Sequence, residues 1–378
     1  MGVRGLLDRA DDGGASVSPV YLADKLALAK GRPTGFDYMR LILSVSVVCI
    51  HSSLTSYGTD VQMWTSVTRP FVRIILPMFF ALSGYLVAGS LVRSASLFQF
   101  MTFRVLRIYP ALSVEVVLSA FIIGPLLTKS SLPVYFSDPL FRSYLLNVTG
   151  DIHYLLPGLF ATNPYPNIVN AQLWTVPFEL LCYVSIAGLA IVGIKRHRLL
   201  GPASVMILAL GYTVSKLVQF HGFPPPIIGR VSGLVLLVSF LSGMSIFFYN
   251  DRIVWSARLC ALSGIVSALL LSVVPNGDYI VAPFAAYFTV SLGLTNPTKL
   301  GILRGADYSY GIFLYGFVIQ QVLMERLPWA RIWWLNILLS VPCATLFAAA
   351  SWHIVEKPAL RLKRFIPDRL GRRRAHAA

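Results

Sequence analysis

From residue 36 to residue 355 the chain alternates long apolar runs with short polar breaks. The runs cover 36–57, 71–92, 105–128, 173–194, 199–220, 230–249, 258–274, 279–294, 308–325 and 332–355. A bilayer core of about 30 Å takes about 20 apolar residues as a helix. The pattern therefore predicts an all-α polytopic membrane protein with about ten transmembrane helices. The runs 258–274 and 279–294 are short and share the turn Pro275-Asn276-Gly277-Asp278, so they also read as a single helical hairpin. The connection 129–172 is long. Its half-apolar stretch Tyr144–Phe160 is broken by Asn147, Asp151, His153 and Pro157, too polar to span, and is expected as a re-entrant or interfacial extracytoplasmic segment. Residues 1–35 are polar and carry no apolar core of a secretory signal, so a disordered cytoplasmic tail is expected there. Residues 356–378 read as a basic cytoplasmic tail.

Composition supports this picture. The 378 residues are 56% hydrophobic and 13% charged, against about 25% charged in a soluble domain. That excludes an ordinary soluble enzyme and a disordered chain alike. Thirty-two Lys and Arg against 16 Asp and Glu leave a net charge of +16, which on a soluble protein would point to nucleic acid. Placement removes that reading. With the first run entering from the cytoplasm, 23 of the 32 cations fall on the inner side. This is the positive-inside distribution with both termini cytoplasmic, and no nucleic-acid partner is expected. Trp64, Trp329, Trp333 and Trp334 fall near outer helix ends, as an interfacial aromatic belt requires. The four cysteines lie far apart inside apolar runs without metal-ligand spacing, so neither a metal site nor a disulfide framework is expected.

Ionisable groups at bilayer depth cost about 2.5 kcal/mol or more each and need a reason. Arg40 and His51 are eleven residues apart on the first run. Eleven helical steps of about 100° return to within about 20° of the same azimuth, with a rise of about 16 Å. Both then share one face, Arg40 near the cytoplasmic mouth and His51 deep. The ordinary alternative is a snorkelling Arg and a hydrogen-bonded core His. Arg104 and Arg107, at i and i+3, share a face at the start of the third run, where Arg forks suit phosphate; topology alone also places cations there. Glu179, in the fourth run, needs a buried His or Arg partner. Glu115 could pair with an Arg of a neighbouring helix. Ser83 and Gly84 in Phe79-Phe80-Ala81-Leu82-Ser83-Gly84-Tyr85 permit close helix contact, and the hydroxyl could also face a cavity.

These residues together resemble one family, the membrane-bound acyltransferases of acyltransferase family 3, which O-acetylate sugars of bacterial envelopes. The resemblance runs in order from Phe36 to about Arg364. It rests on Arg40 with His51, the Phe-Phe-Ala-Leu-Ser-Gly-Tyr ending at Tyr85, Arg104-x-x-Arg107-Ile-Tyr-Pro, and Leu-Trp-Thr-Val-Pro-Phe-Glu ending at Glu179 with Tyr183. Asp307-Tyr-Ser-Tyr-Gly-Ile-Phe-Leu-Tyr315 and Glu356-Lys357-Pro358 complete it. The resemblance implies His51 as the catalytic residue, Arg40 as essential, and Glu179 as a recurrent carboxylate able to hold the imidazole. It implies Arg104 and Arg107 as donor-binding residues, and Ser83, if its hydroxyl faces the cavity, is expected beside them. It further implies acetyl-CoA as a co-substrate rather than a bound cofactor, a polysaccharide or lipid-linked oligosaccharide as acceptor, and a place among the lipids of the bacterial inner membrane. His51 is expected either as a general base or as an acetyl relay. Leu314-Tyr315-Gly316-Phe317 lacks the second His that many members carry after the Ser-Tyr-Gly motif, and is similar to the stand-alone, exopolysaccharide-modifying branch.

A second function class fits the same residues. Buried Arg, His and Glu among ten helices also suit a transporter or flippase for an anionic or lipid-linked substrate. Against it stand the lack of a duplicated half and the one-sided Arg pair.

Overall fold

The computed structural model describes residues 19–59, 68–220, 231–274, 277–301 and 305–366. Among these the chain is helical throughout, with two isolated bridges (Tyr21 with Val254, Leu155 with Ile168) and no strand. In order the helices are α1 (Leu22–Leu28), α2 (Thr34–Tyr57), α3 (Arg69–Arg93) and α4 (Leu97–Leu118), the last prolonged by a π-turn over Ser119–Ile123 and by α5 (Gly124–Leu127). Then come α6 (Leu132–Ser137), α7 (Pro139–Leu145), α8 (Val176–Val192), α9 (Leu200–Phe220) and α10 (Gly233–Phe248). The remainder are α11 (Ala257–Val273), α12 (Asp278–Gly293), α13 (Ser309–Arg326), α14 (Trp333–Ser351) and α15 (Lys357–Arg361). Each of the ten predicted apolar runs is overlaid by one long helix. Among the described residues six helical segments are long and apolar enough to cross a membrane: Thr34–Tyr57, Arg69–Arg93, Leu97–Leu127, Ala171–Val192, Leu200–Phe220 and Trp333–Phe365. Gly233–Phe248, Ala257–Val273 and Ile280–Gly293 are apolar but shorter. This is the architecture of a multi-pass membrane protein. On α9 the side chains of Met206, Ile207, Leu210, Val214 and Val218 are all more than half exposed, a face that water would not tolerate and lipid does.

Local chemistry explains the helix ends. Pro33 precedes α2 and Gly58, at φ +72°, closes it. Ser96 caps α4 by accepting from the Gln99 amide, while the Gln99 side chain accepts from Ala95. Pro177 opens α8 and Gly193, at φ +105°, ends it.

The core is organised around the crossing of α3 and α10. A Cβ on Gly84 would lie 1.9 Å from the Phe240 carbonyl oxygen, and one on Gly243 would lie 1.9 Å from that of Ala81. Backbone meets backbone here, so neither side can yield by a rotamer change. Gly84→Val is expected to cost more than the roughly 1–3 kcal/mol of ordinary overpacking. Thermal unfolding of the detergent-solubilised protein measures it; a melting point unchanged from wild type contradicts this account of the crossing.

Three expected boundaries change. The tail expected over 1–35 is not loose in its second half. Leu22 is fully buried, and the amides of Leu22 and Ala23 donate to the carbonyls of Ile253 and Asn250, while Lys25 lies 4.0 Å over the Trp255 ring. An apolar residue every few positions in 19–28 was enough to dock a short helix; residues 1–18 lie outside the described residues. The stretch 129–172, expected as a re-entrant or interfacial segment, is a folded layer of short helices and loops packed on the bundle. Tyr135, Tyr144, Leu156, Phe160 and Val169 are sunk into the main core, and the Gln321 side chain donates to the carbonyls of Tyr165 and Ile168. The helical course of α14 does not stop at 355 but continues through a π-turn over Trp352–Glu356 into α15 and a 3-10 turn over Leu362–Phe365. Residues 367–378 lie outside the described residues, as do Trp64 and the Pro275-Asn276 half of the turn between α11 and α12. Trp329, Trp333 and Trp334 are exposed, as the belt requires.

Candidate active site

A cavity of about 420 Å³ opens between α2, α3, α4, α8, α10, α13 and α15. Its cations are Arg40, Arg93, Arg104, Arg107 and Lys363, facing the carboxylates of Glu179 and Asp307. Phe79, Phe80, Leu82, Leu86, Phe240 and Phe313 supply apolar wall. The small-residue segment of α3 serves both purposes weighed for it: Gly84 makes the helix crossing, and the neighbouring Ser83 lines the cavity.

Arg104 and Arg107 share the cavity face that their i, i+3 spacing requires, yet they are in different electrostatic states. Arg107 lies between two carboxylates, 2.7 Å from Asp307 and 3.1 Å from Glu356. Arg40 joins the cluster, 2.5 Å from Asp307. Burial works to raise the Asp307 carboxyl, but Arg40 and Arg107 outweigh it and hold that carboxyl well below the usual carboxylate range. Glu356 is 2% exposed and also accepts from Ser351 Oγ. Arg104 has no ion pair among the described residues. It donates to Ser90 Oγ at 3.0 Å and lies over the rings of Phe100 and Tyr183 at 5.6 and 5.8 Å, and its buried Nε meets no acceptor. Arg104 therefore stands on the cavity wall without a paired carboxylate counter-charge among the described residues.

Two expected partnerships are corrected. Glu179 lines the cavity but, among the described residues, is hydrogen-bonded by neither His nor Arg; it accepts from the hydroxyl of Tyr183, one turn on, at 2.6 Å. It lies in the first turn of α8 and lines the cavity together with Arg40, Arg104 and Arg107, whereas His51 does not. Glu115 is fully buried and pairs with no Arg among the described residues. One of its oxygens accepts from Ser119 Oγ at 3.0 Å and Asn170 Nδ2 at 2.9 Å, and the other is without a partner.

His51 lies outside the cavity lining, one residue shell beyond it. Thr175 lines the cavity and donates to the Gln172 carbonyl at 3.1 Å. The Gln172 side-chain nitrogen is 3.2 Å from His51 Nδ1, and the Phe317 ring stands edge-on to the imidazole with centroids 5.3 Å apart. Arg40 at the cavity and His51 beyond it thus occupy the two ends of one helix face, as their spacing requires. Asp307 and Glu356 stand in the motifs quoted from the sequence but with no role assigned to them, and Gln172 does not appear there. The first two could have been found by charge balance, since three Arg at apolar helix ends need carboxylates and these are the acidic residues at the facing ends of α13 and α15. Gln172 had no signal beyond being an amide, two residues after Asn170, just before an apolar run.

Residues 34–355 match the family model described as an acyltransferase domain. An O-acetyl transferase of Shigella phage Sf6 is 27% identical over 345 residues, covering 85% of this chain and 94% of the relative. Nodulation protein 10 of Rhizobium leguminosarum bv. viciae is 28% identical over 364 residues, covering 89% and 95%. No solved structure gives a significant match.

Proposed function

The chain belongs to the acyltransferase-domain family, and on that premise we propose that it is an integral-membrane O-acetyltransferase. It moves an acetyl group from cytoplasmic acetyl-CoA to a hydroxyl of an envelope or exopolysaccharide carbohydrate. The observation that carries this reading is the cavity with Arg104, without an ion pair among the described residues, at its cationic end and apolar walls along the way to Thr175, next to the Gln172–His51 contact. The phosphates of the donor suit Arg104, with Arg93 and Lys363 beside it, and the pantetheine arm suits the apolar wall. Arg40 and Arg107 shape that end through Asp307. The orientation that goes with the reading puts both termini in the cytoplasm of a bacterial inner membrane.

In the reaction His51 takes the proton of the acceptor hydroxyl. The oxygen forms its bond to the thioester carbonyl carbon, the tetrahedral intermediate collapses, and the carbon–sulfur bond breaks. The leaving thiolate takes the proton back from the imidazolium, which restores His51. The relative named an O-acetyl transferase supports an acetyl group, and the absence of any ion pair on Arg104 favours a donor carrying phosphate over an uncharged one.

The test is release of free thiol from acetyl-CoA by the purified protein, with and without envelope glycan. Glycan-dependent release is expected, together with a glycan heavier by one acetyl group. No release with any glycan fraction, and envelope glycans of unchanged mass when the gene is deleted, would refute the reading.

A further inference from the structure

His51 is held by an amide rather than a carboxylate, and this has a chemical consequence. The Gln172 amide meets Nδ1 at 3.2 Å through its nitrogen, while its oxygen is buried with no hydrogen-bond partner among the described residues. An amide nitrogen only donates, so in this orientation Nδ1 is bare and the proton of the neutral imidazole sits on Nε2. A ring in that form cannot accept a proton at Nε2. Its one free lone pair is occupied by Gln172. Rotating the amide by half a turn places the orphaned oxygen against Nδ1, where it accepts from Nδ1–H and leaves the Nε2 lone pair free. The same orientation also serves the imidazolium, whose Nδ1–H needs an acceptor.

We propose that Gln172 is the positioning residue of His51, and that in the working form its side-chain oxygen accepts from Nδ1–H, so that Nε2 is the base. This rests on the reading of His51 as the base. The rest of the site supports it by fixing Gln172 from several sides. Its backbone nitrogen donates to Asn170 Oδ1 at 3.2 Å and its carbonyl accepts from Thr175. Asn170 is itself tied by its amide to Glu115 Oε1 and to the Leu314 carbonyl, both at 2.9 Å. Glu115 thus acquires a role that no Arg partner gives it: it anchors the turn that presents Gln172. Gly316 keeps the opposite side narrow, since a Cβ there would lie 2.6 Å from Val48 Cγ2 and 3.7 Å from Gln172 Nε2. With Phe317 against its face and Gln172 on Nδ1, the imidazole has one polar tether among the described residues, and that tether decides which nitrogen carries the proton.

Two variants test this, each checked for wild-type elution in detergent. Gln172→Met keeps the length and removes the amide. Its kcat for glycan-dependent thiol release from acetyl-CoA is expected to fall roughly tenfold or more, with the KM for acetyl-CoA unchanged. Gln172→Glu keeps an acceptor oxygen and loses the donor, so it is expected to retain kcat within about threefold. A wild-type kcat in Gln172→Met overturns the assignment. A Gln172→Glu protein as slow as Gln172→Met overturns the acceptor orientation. A His51→Ala protein with normal turnover overturns the base reading itself, whereas an inactive His51→Ala beside a fully active Gln172→Met overturns only the role of Gln172.

Discussion

His51→Ala is expected to lower glycan-dependent acetyl transfer by about a thousandfold, within the range that removal of a positioned general base produces, and to leave binding of acetyl-CoA unchanged. The separation of these two effects follows from the geometry. Arg40 and His51 are eleven residues apart on α2, a rise of about 16 Å. The cationic end of the cavity is built around Arg40, and His51 is not part of the cavity lining. Removing the imidazole therefore leaves Arg104, Arg107 and Asp307 in place. Equilibrium binding of acetyl-CoA and single-turnover transfer, measured on the same preparation, check the two halves. Loss of both together would mean that the substitution disturbs the helix rather than the chemistry. Acetyl-CoA labelled in the acetyl group adds a third readout. A general base leaves no label on the protein, whereas an acetyl relay leaves label that depends on His51 and is chased by glycan.

Much of the fold was legible in the sequence because hydropathy in a bilayer is a strong constraint. Every backbone group must be satisfied within a helix, so an apolar run of sufficient length has few alternatives. The segments read less well are those where this constraint lapses. Residues 19–28 and 129–172 have mixed polarity, and their order comes from docking onto α10, α4 and α13 rather than from any local pattern. The same division holds in the site. Arg40, Ser83, Arg104, Arg107 and Glu179 were visible as polar groups in apolar surroundings, and all five line one cavity. Their pairing was not visible, because it depends on which helix ends meet. Asp307 and Glu356 lie 200 and 249 residues from Arg107, and only the closing of α13 and α15 onto α4 brings them together. Glu179 shows the converse. Spacing put it in a helix, but its direction on α8 sent it to Tyr183, and a neutral amide took the place beside His51.

The two arginines of α4 are expected to fail in different ways when replaced. Arg104→Ala removes a guanidinium that has no carboxylate to leave behind. The protein is expected to fold and insert as before, while the KM for acetyl-CoA rises about tenfold or more, the equivalent of losing a charge-assisted hydrogen bond of about 1.5–3 kcal/mol. The remaining affinity of wild type should weaken as salt rises, and that of the variant less so. Arg107→Ala instead strands Glu356, which is 2% exposed, and leaves Asp307 to Arg40 alone. Breaking a buried pair by removing one partner costs about 3–5 kcal/mol, so the expected result is a folded protein with a clearly lowered melting point. Acid separates the variants further. The Asp307 carboxyl is held below its ordinary range in the folded protein, so its contribution to stability is complete above the unfolded value and is lost only as pH falls through the folded one. Wild type and Arg104→Ala should therefore share the same acid unfolding midpoint, and Arg107→Ala, with one counter-charge fewer on Asp307, should unfold at a higher pH. Melting curves of the three proteins in detergent across the acid range decide it. If Arg107→Ala is as stable as wild type and affects only the donor KM, then the pair acts as one phosphate clamp and the division of labour between them is wrong.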